Sequence, residues 1–77
     1  MTATERVTGT RDENFNLISV LYHTLQEVET LQQYIDDAKQ AGDDDAAELF
    51  HKLQDDDQQC AGQVKKLLAD RLRKAVS

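Results

Sequence analysis

Apolar residues recur every three or four positions over two long stretches of the chain, with polar residues between them. At 100° per residue, one set falls on a single side of a helix that we predict near residues 11–41. Its members are Leu17, Ile18, Leu21, Leu25, Val28, Leu31 and Ile35. A second set predicts a helix near residues 44–75 and consists of Ala46, Leu49, Phe50, Leu53, Cys60, Val64, Leu67 and Leu68. The pattern therefore predicts an all-α chain.

Local signals mark where the predicted helices begin and end. Thr10 and Glu13 have the spacing of a capping box, in which two side chains bond free backbone N–H groups of the first turn. Gly42 is typical of the residue just after a helix, and Asp43 then suits the N-cap of the next helix. We therefore predict a turn at about residues 42–43 and an antiparallel αα-hairpin over residues 11–76, preceded by a flexible tail at residues 1–10.

The apolar stripes are too wide to be covered within one hairpin. Two helices bury one face of each other, so the remaining apolar surface needs another partner. A chain of 77 residues also builds a small core, and its single cysteine allows no internal disulfide to strengthen it. We therefore predict that the hairpin pairs with a second copy, as a dimer or a higher oligomer, to form a four-helix bundle.

Charge divides the predicted hairpin into two unlike ends. Residues 36–57 hold nine acidic residues and two lysines, whereas residues 65–77 hold five basic residues and one acidic residue. The turn end is thus acidic and the open end basic, which favours antiparallel docking of two copies. The net charge of −6 argues against binding to nucleic acid, which needs a basic surface.

The sequence contains no signal for membrane insertion or export. No stretch approaches the roughly 20 apolar residues that span a bilayer, and residues 1–11 lack the apolar core of a signal peptide. A lone thiol, Cys60, suits a reducing compartment. We therefore expect a cytoplasmic protein without a membrane partner.

Candidate chemistry lies where acidic residues interrupt the apolar stripes. Asp57 falls about 40° from the centre of the second stripe, and Cys60 follows one turn later on the same side. Glu27 and Glu29 lie on the two edges of the first stripe. Glu27 stands fifteen residues before Gly42 and Asp57 fifteen after it, which places the two at one height in the hairpin. Two hairpins would gather four to six carboxylates at the bundle centre, where a divalent cation would offset their cost.

The same residues also suit structural roles. An inward acid such as Asp57 can set helix register or be satisfied by a polar neighbour, and Gln32 is one candidate partner. Cys60 is the size of a small buried apolar residue, and Tyr34 suits the edge of a packed stripe. Both histidines are expected on the solvent side of their helices, away from any metal.

Residues 14–72 resemble half of a ferritin-like bundle, and within that superfamily the encapsulated-ferritin type, in which a two-helix chain dimerises. In that family a glutamate and a tyrosine seven residues later lie on the first helix, and Glu-x-x-His follows about thirty residues after the glutamate. Glu27 and Tyr34 have the first spacing, with Glu29 as a second acid, and Asp57-Gln58-Gln59-Cys60 stands in the place of the second motif. Aspartate and cysteine therefore stand where the family has glutamate and histidine.

The resemblance implies a di-iron site at the dimer interface that oxidises ferrous iron. Its candidate ligands in this chain are Glu27, Glu29, Tyr34, Asp57 and Cys60. Carboxylate and thiolate ligands would also suit zinc. A third interpretation is a metal-free scaffold of the same fold, acting by assembly or as an adaptor for a protein partner. An RNA-binding adaptor is a further class, although Arg11 and Lys39 are the only lysine or arginine residues of the first predicted helix.

Overall fold

The chain folds as two helices that run in opposite directions and pack against each other. The computed structural model describes residues 13–76, in which α1 spans Glu13–Gln40 and α2 spans Asp44–Val76. An ion pair of 3.2 Å joins Arg71, near the end of α2, to Glu13 at the start of α1. No strand occurs within the described range. The prediction of an all-α helical hairpin is therefore confirmed.

The predicted helices near residues 11–41 and 44–75 compare with the described helices Glu13–Gln40 and Asp44–Val76. The predicted tail at residues 1–10 and the capping box at Thr10 lie outside the described residues. The structure consists of one hairpin, so pairing with a second copy stays a prediction.

The turn between the helices follows from Gly42. This glycine has a φ of 73°, in the left-handed region that residues with a Cβ rarely adopt. Its N–H donates to the carbonyl of Lys39 at 3.1 Å, and the Asp43 N–H donates to that of Ala38 at 2.9 Å, which is the Schellman pattern. The Asp43 carboxylate then accepts the N–H of Ala46 at 3.1 Å and caps α2. The glycine after α1 and the N-cap of α2 are thus both confirmed.

The core is a narrow row of side chains along the seam between the helices. Its buried members are Leu31, Ile35, Ala38, Ala47, Gln54 and Ala61. Half-buried residues continue the row toward the open end, namely Leu17, Leu21, Val28, Asp57, Val64 and Leu68. Ile35, at 1% exposed, is the most deeply buried of the described residues. This core is small, as expected for two helices that cover only one side of each other.

The predicted position of the apolar stripe on α2 is wrong. Leu53, taken as its centre, is 41% exposed, Leu67 is 43% exposed, and Cys60 is exposed as well. The side that meets α1 instead carries Gln54 and Ala61, one residue further round the helix in each turn. The apolar arc of α2 is wider than its contact with α1. Val64 and Leu68 of the predicted stripe do lie half-buried along the seam, whereas Leu53 and Leu67 remain outside it.

A buried glutamine links the helices at the middle of the seam. Gln54 is 7% exposed, and its side-chain nitrogen donates to the Val28 carbonyl and to Gln32 Oε1, both at 3.1 Å. Gln32 donates in turn to Asp36 Oδ1 at 3.2 Å. The proposed pairing of Gln32 with Asp57 is therefore replaced by one with Gln54. A buried amide with specific partners sets the register of α2 against α1, because sliding either helix would leave it unpaired.

Candidate carboxylate pair and apolar face

Glu27 of α1 and Asp57 of α2 form a pair of carboxyl groups near the middle of the hairpin. The pKa of Glu27 is raised, chiefly because the protonated form of Glu27 can donate a hydrogen bond to Asp57. Charge repulsion from Asp57 and desolvation raise this pKa further. The prediction that these two residues, equally far from Gly42, stand at one height is confirmed. The two side chains therefore act as a unit that can hold a proton between them.

The Asp57 carboxylate is only partly satisfied within the hairpin. Its Oδ2 atom is buried and has no hydrogen-bond partner among the described residues. A buried carboxylate oxygen without a donor carries the cost of its lost hydration. Glu27, by contrast, is exposed to solvent. Asp57 thus has unused bonding capacity for a proton, for a donor from another chain or for a cation.

The other predicted ligands do not complete a metal site in one copy of the hairpin. Glu29 is exposed and lies two residues beyond Glu27, about 200° further round α1. Tyr34 packs its ring against Phe50, with centroids 5.7 Å apart. Over residues 13–76 there is no group of three or more His, Cys, Asp or Glu side chains suited to a metal ion. Of the five predicted ligands, the structure brings Glu27 and Asp57 into contact.

An uncovered apolar surface, which we call the Leu53 face, lies beside this carboxyl pair. It consists of Val20, Glu27 and Tyr34 on α1 and Leu53, Cys60 and Leu67 on α2, all of them exposed. Within each helix these residues recur every seven positions, and equivalent positions of two antiparallel helices flank the same side of their seam. Two observations show that the row on α1 and the row on α2 lie side by side. The ring of Tyr34 contacts that of Phe50, and Tyr34 and Ala46 both line a groove of about 460 Å³.

The opposite side of the hairpin carries a second group of exposed apolar residues, mostly on α1. We call it the Ile18 face, and it consists of Ile18, Tyr22 and Leu25. Toward the turn the same side continues through Gln32 to Lys39, which lines a groove with His51 of α2. The predicted stripe of α1 therefore combines seam residues with Ile18 and Leu25 of this face, and that of α2 combines seam residues with those of the Leu53 face. The seven-residue spacing of Leu53, Cys60 and Leu67 was the signal that distinguishes them.

Unlike Asp57, the ion-paired side chains lie around the two faces and outside the buried part of the seam. Asp70 forms ion pairs with Arg73 at 3.1 Å and with Lys74 at 3.3 Å, and His51 lies 3.4 Å from Asp55. Because these pairs are solvent-exposed, each contributes little to stability. Both histidines are exposed, as the sequence predicted. The charges therefore matter chiefly through the contrast between an acidic turn end and a basic open end.

Comparison of the chain with family models, with curated proteins and with solved structures yields no match. The resemblance to ferritin-like proteins therefore stays a prediction that depends on the spacing of Glu27, Tyr34 and Asp57. Neither of the two described helices contains a stretch long and apolar enough to cross a membrane. The features that bear on function are therefore the carboxyl pair, the Leu53 face and the Ile18 face.

Proposed function

We propose that two copies of this hairpin pair into a ferritin-like four-helix bundle whose centre binds a divalent cation, iron or zinc, through carboxyl groups. The observation that carries the proposal is the position of Glu27 and Asp57 beside the uncovered Leu53 face. A second copy on that face would move the carboxyl groups from the surface to the middle of a bundle. In that setting they need protons, hydrogen-bond donors or a cation.

The distribution of apolar side chains supports pairing. The large apolar residues that stay exposed include three leucines of α2, Leu49, Leu53 and Leu67, whereas two of the buried positions of that helix are alanines, Ala47 and Ala61. A hairpin with so small a core gains little stability from burial within one chain. Association of two copies would bury the leucines and add the missing part of the core.

The donor types support a cation at the centre. Two copies would contribute four carboxyl groups from Glu27 and Asp57, including the Oδ2 atom of Asp57 that has no partner in one hairpin. Carboxylate oxygens bind iron and zinc, and a thiolate from Cys60, one turn from Asp57, would favour zinc. With iron, the resemblance implies oxidation of ferrous ion as the activity. The proposal keeps the cytoplasm as the compartment, because an exposed free thiol persists in a reducing environment.

Native mass spectrometry tests both parts of this proposal at once. The protein is measured alone, after anaerobic addition of Fe(II), and separately after Zn(II). We expect an even number of subunits and a constant ratio of metal to hairpin pairs. Asp57→Asn should keep the subunit number and lose metal, whereas Asp56→Asn, an exposed neighbour of the same charge, should keep both. A monomer under all conditions would overturn the proposal.

A metal-free scaffold is the second candidate, and one observation favours it. The pKa of Glu27 is raised by its interaction with Asp57, so a shared proton can remove one of the two negative charges of the pair without a cation. In that case the bundle acts through assembly, or by presenting its outer surface to a protein partner. An even-numbered oligomer that takes up neither Fe(II) nor Zn(II) would support this function over the first.

A further inference from the structure

We infer that the second copy docks on the Leu53 face in the antiparallel sense, about a two-fold axis that passes close to Cys60. This inference rests on the proposed pairing and adds the surface and the orientation. It places α2 of one copy against α2 of the other, and α1 against α1. The two hairpins then point their turns in opposite directions.

The Leu53 face is symmetric along its own length, as a two-fold interface requires. In such an interface the same patch is used by both copies, so it must complement itself when its direction is reversed. Leu53 and Leu67 lie seven residues before and after Cys60, roughly 10 Å on either side of it. Reversal about Cys60 therefore sets Leu53 of one copy against Leu67 of the other. On α1, Val20 and Tyr34 lie seven residues on either side of Glu27, which is level with Asp57 and about 4.5 Å along the helix axis from the height of Cys60, so the two rows share a centre to within one helical turn.

The Ile18 face lacks this symmetry. Along α1 it changes from apolar at Ile18 and Leu25 to polar at Gln32 and charged at Lys39. An antiparallel partner on this side would place Ile18 against Lys39 of the other copy. Burying an apolar side chain against an unpaired ammonium group loses most of the benefit of burial. The Leu53 face is therefore the better surface for a second copy.

Charge selects the antiparallel orientation over the parallel one. At the turn end the groove beside Tyr34 is lined by Asp37 and Asp43. At the open end Arg71 is paired with Glu13 in the groove beside Val20, and residues 65–74 around it hold five basic residues and one acidic residue. Parallel docking would stack the acidic turn ends on each other. Antiparallel docking brings each acidic end next to a basic one, and complementary charge at the rim of an interface sets its orientation.

The same docking completes the carboxyl site. Glu27 and Asp57 lie at one height, three residues or about 4.5 Å along the helix axis from Cys60, so a two-fold axis between these two heights brings the carboxyl pairs of both copies close to each other. The site within one hairpin is then half of the site in the dimer. The native Cys60 thiols of both copies also lie near the axis, which provides a direct test.

Thiol cross-linking of the unmodified protein is the first experiment. A short bis-maleimide joins two thiols that lie close together, since each sulfur adds across one maleimide double bond and no leaving group or oxidant is involved. We expect rapid formation of a covalent dimer through Cys60. The control is Cys60→Ala with Tyr22→Cys, which places an exposed thiol on the Ile18 face and measures the rate of chance collisions.

Orientation is tested with two variants in the Cys60→Ala background, Leu53→Cys and Leu67→Cys, which are nearly equally exposed. For antiparallel docking, each variant alone should cross-link at the rate of the Tyr22→Cys control, and a mixture of the two should cross-link at least tenfold faster. Labelling one variant with ¹⁵N identifies the mixed product by mass. Parallel docking predicts the reverse, with each variant cross-linking to itself.

The outcomes separate this inference from the proposed function. Fast cross-linking of like with like in a protein that is dimeric by native mass spectrometry would overturn the antiparallel mode and leave the pairing intact. Faster reaction through Tyr22→Cys than through Cys60 would overturn the choice of face. A monomer without cross-links above the collision rate would overturn both the inference and the proposed function. A correctly oriented dimer that takes up no metal would overturn only the cation-binding part of the proposed function.

Discussion

The seam and the Leu53 face of α2 differ in how far their side chains are covered, and two large leucines lie on the uncovered side. The buried residues of α2 at the seam are Ala47, Gln54 and Ala61, and half-buried residues such as Leu68 extend the row, whereas Leu53 and Leu67 on the Leu53 face are exposed. The two alanines allow α1 and α2 to approach closely. Within one hairpin, part of the hydrophobic surface of α2 is therefore left exposed, as the proposed pairing requires. The predictions below separate the two regions.

The largest expected effect is dissociation of the proposed dimer. Replacing Leu53 and Leu67 with aspartate places two charges on the Leu53 face while leaving the seam unchanged. Burial of one leucine is worth about 1.5 to 3 kcal/mol, so losing two per copy should weaken association by several orders of magnitude. Sedimentation velocity or native mass spectrometry should show a monomer. The matched control is Lys52→Asp with Lys66→Asp, which adds acidic residues on α2 outside the Leu53 face. If both double variants remain oligomeric, the Leu53 face is not the surface that binds the second copy.

The next effect concerns the seam. Ile35→Ala removes the most deeply buried side chain and should lower the free energy of unfolding by about 2 to 5 kcal/mol. Ile18→Ala makes the same change at a residue that is 49% exposed and should cost much less. Chemical denaturation at several protein concentrations measures both and separates folding from association. Equal losses for the two variants would show that Ile18 is buried as deeply as Ile35 in the assembled protein.

Substitution by alanine is expected to have opposite effects at two glycines, Gly42 in the turn and Gly62 within α2. Gly42→Ala should destabilise the hairpin by about 1 kcal/mol, because the left-handed φ is strained for a residue with a Cβ. Gly62→Ala lies within α2 with open space around the added Cβ and should stabilise by up to about 1 kcal/mol. Thermal unfolding followed by circular dichroism compares the two. A destabilising Gly62→Ala would indicate that another helix lies against Gly62.

The smallest effect is a pH dependence from Glu27. Its pKa is raised in the folded state, so the folded protein binds a proton more tightly than the unfolded chain does. This contribution to stability is complete below the unfolded pKa of Glu27 and is lost as the pH rises through the raised, folded pKa. The Tm difference between the native protein and Glu27→Gln should therefore shift in favour of Gln as the pH increases through that window. Glu29→Gln serves as the control and should leave the dependence intact.

Much of the fold follows from short-range features of the sequence. The two helices are predicted by periodicity, and the turn by Gly42 and Asp43, because capping and left-handed conformations depend on neighbouring residues. The proximity of Glu27 to Asp57 follows from counting residues on either side of a tight turn, since both helices rise by the same distance per residue. None of these predictions requires knowing which face of α2 packs against α1.

The rotation of α2 about its axis could not be predicted in the same way. Leu53 and Gln54 are neighbours in sequence, and hydrophobicity favours the leucine for the seam. Close approach of the helices at Ala47 and Ala61, together with the bonds of Gln54 to Val28 and Gln32, outweighs that preference. A metal role for Glu29, Tyr34 and Cys60 depends on a second copy, so it stays a prediction.

The sequence by itself determined two helices of defined length, a capped turn and a carboxyl pair at mid-height, because each depends on local bonding or on the constant rise of a helix. Only the tertiary structure decided which residues of α2 face α1 and which remain outside. The apolar arc of α2 is wider than one helix contact, so several rotations satisfy the pattern equally well. Packing of small residues and one buried amide selects among them, and leaves the Leu53 face uncovered.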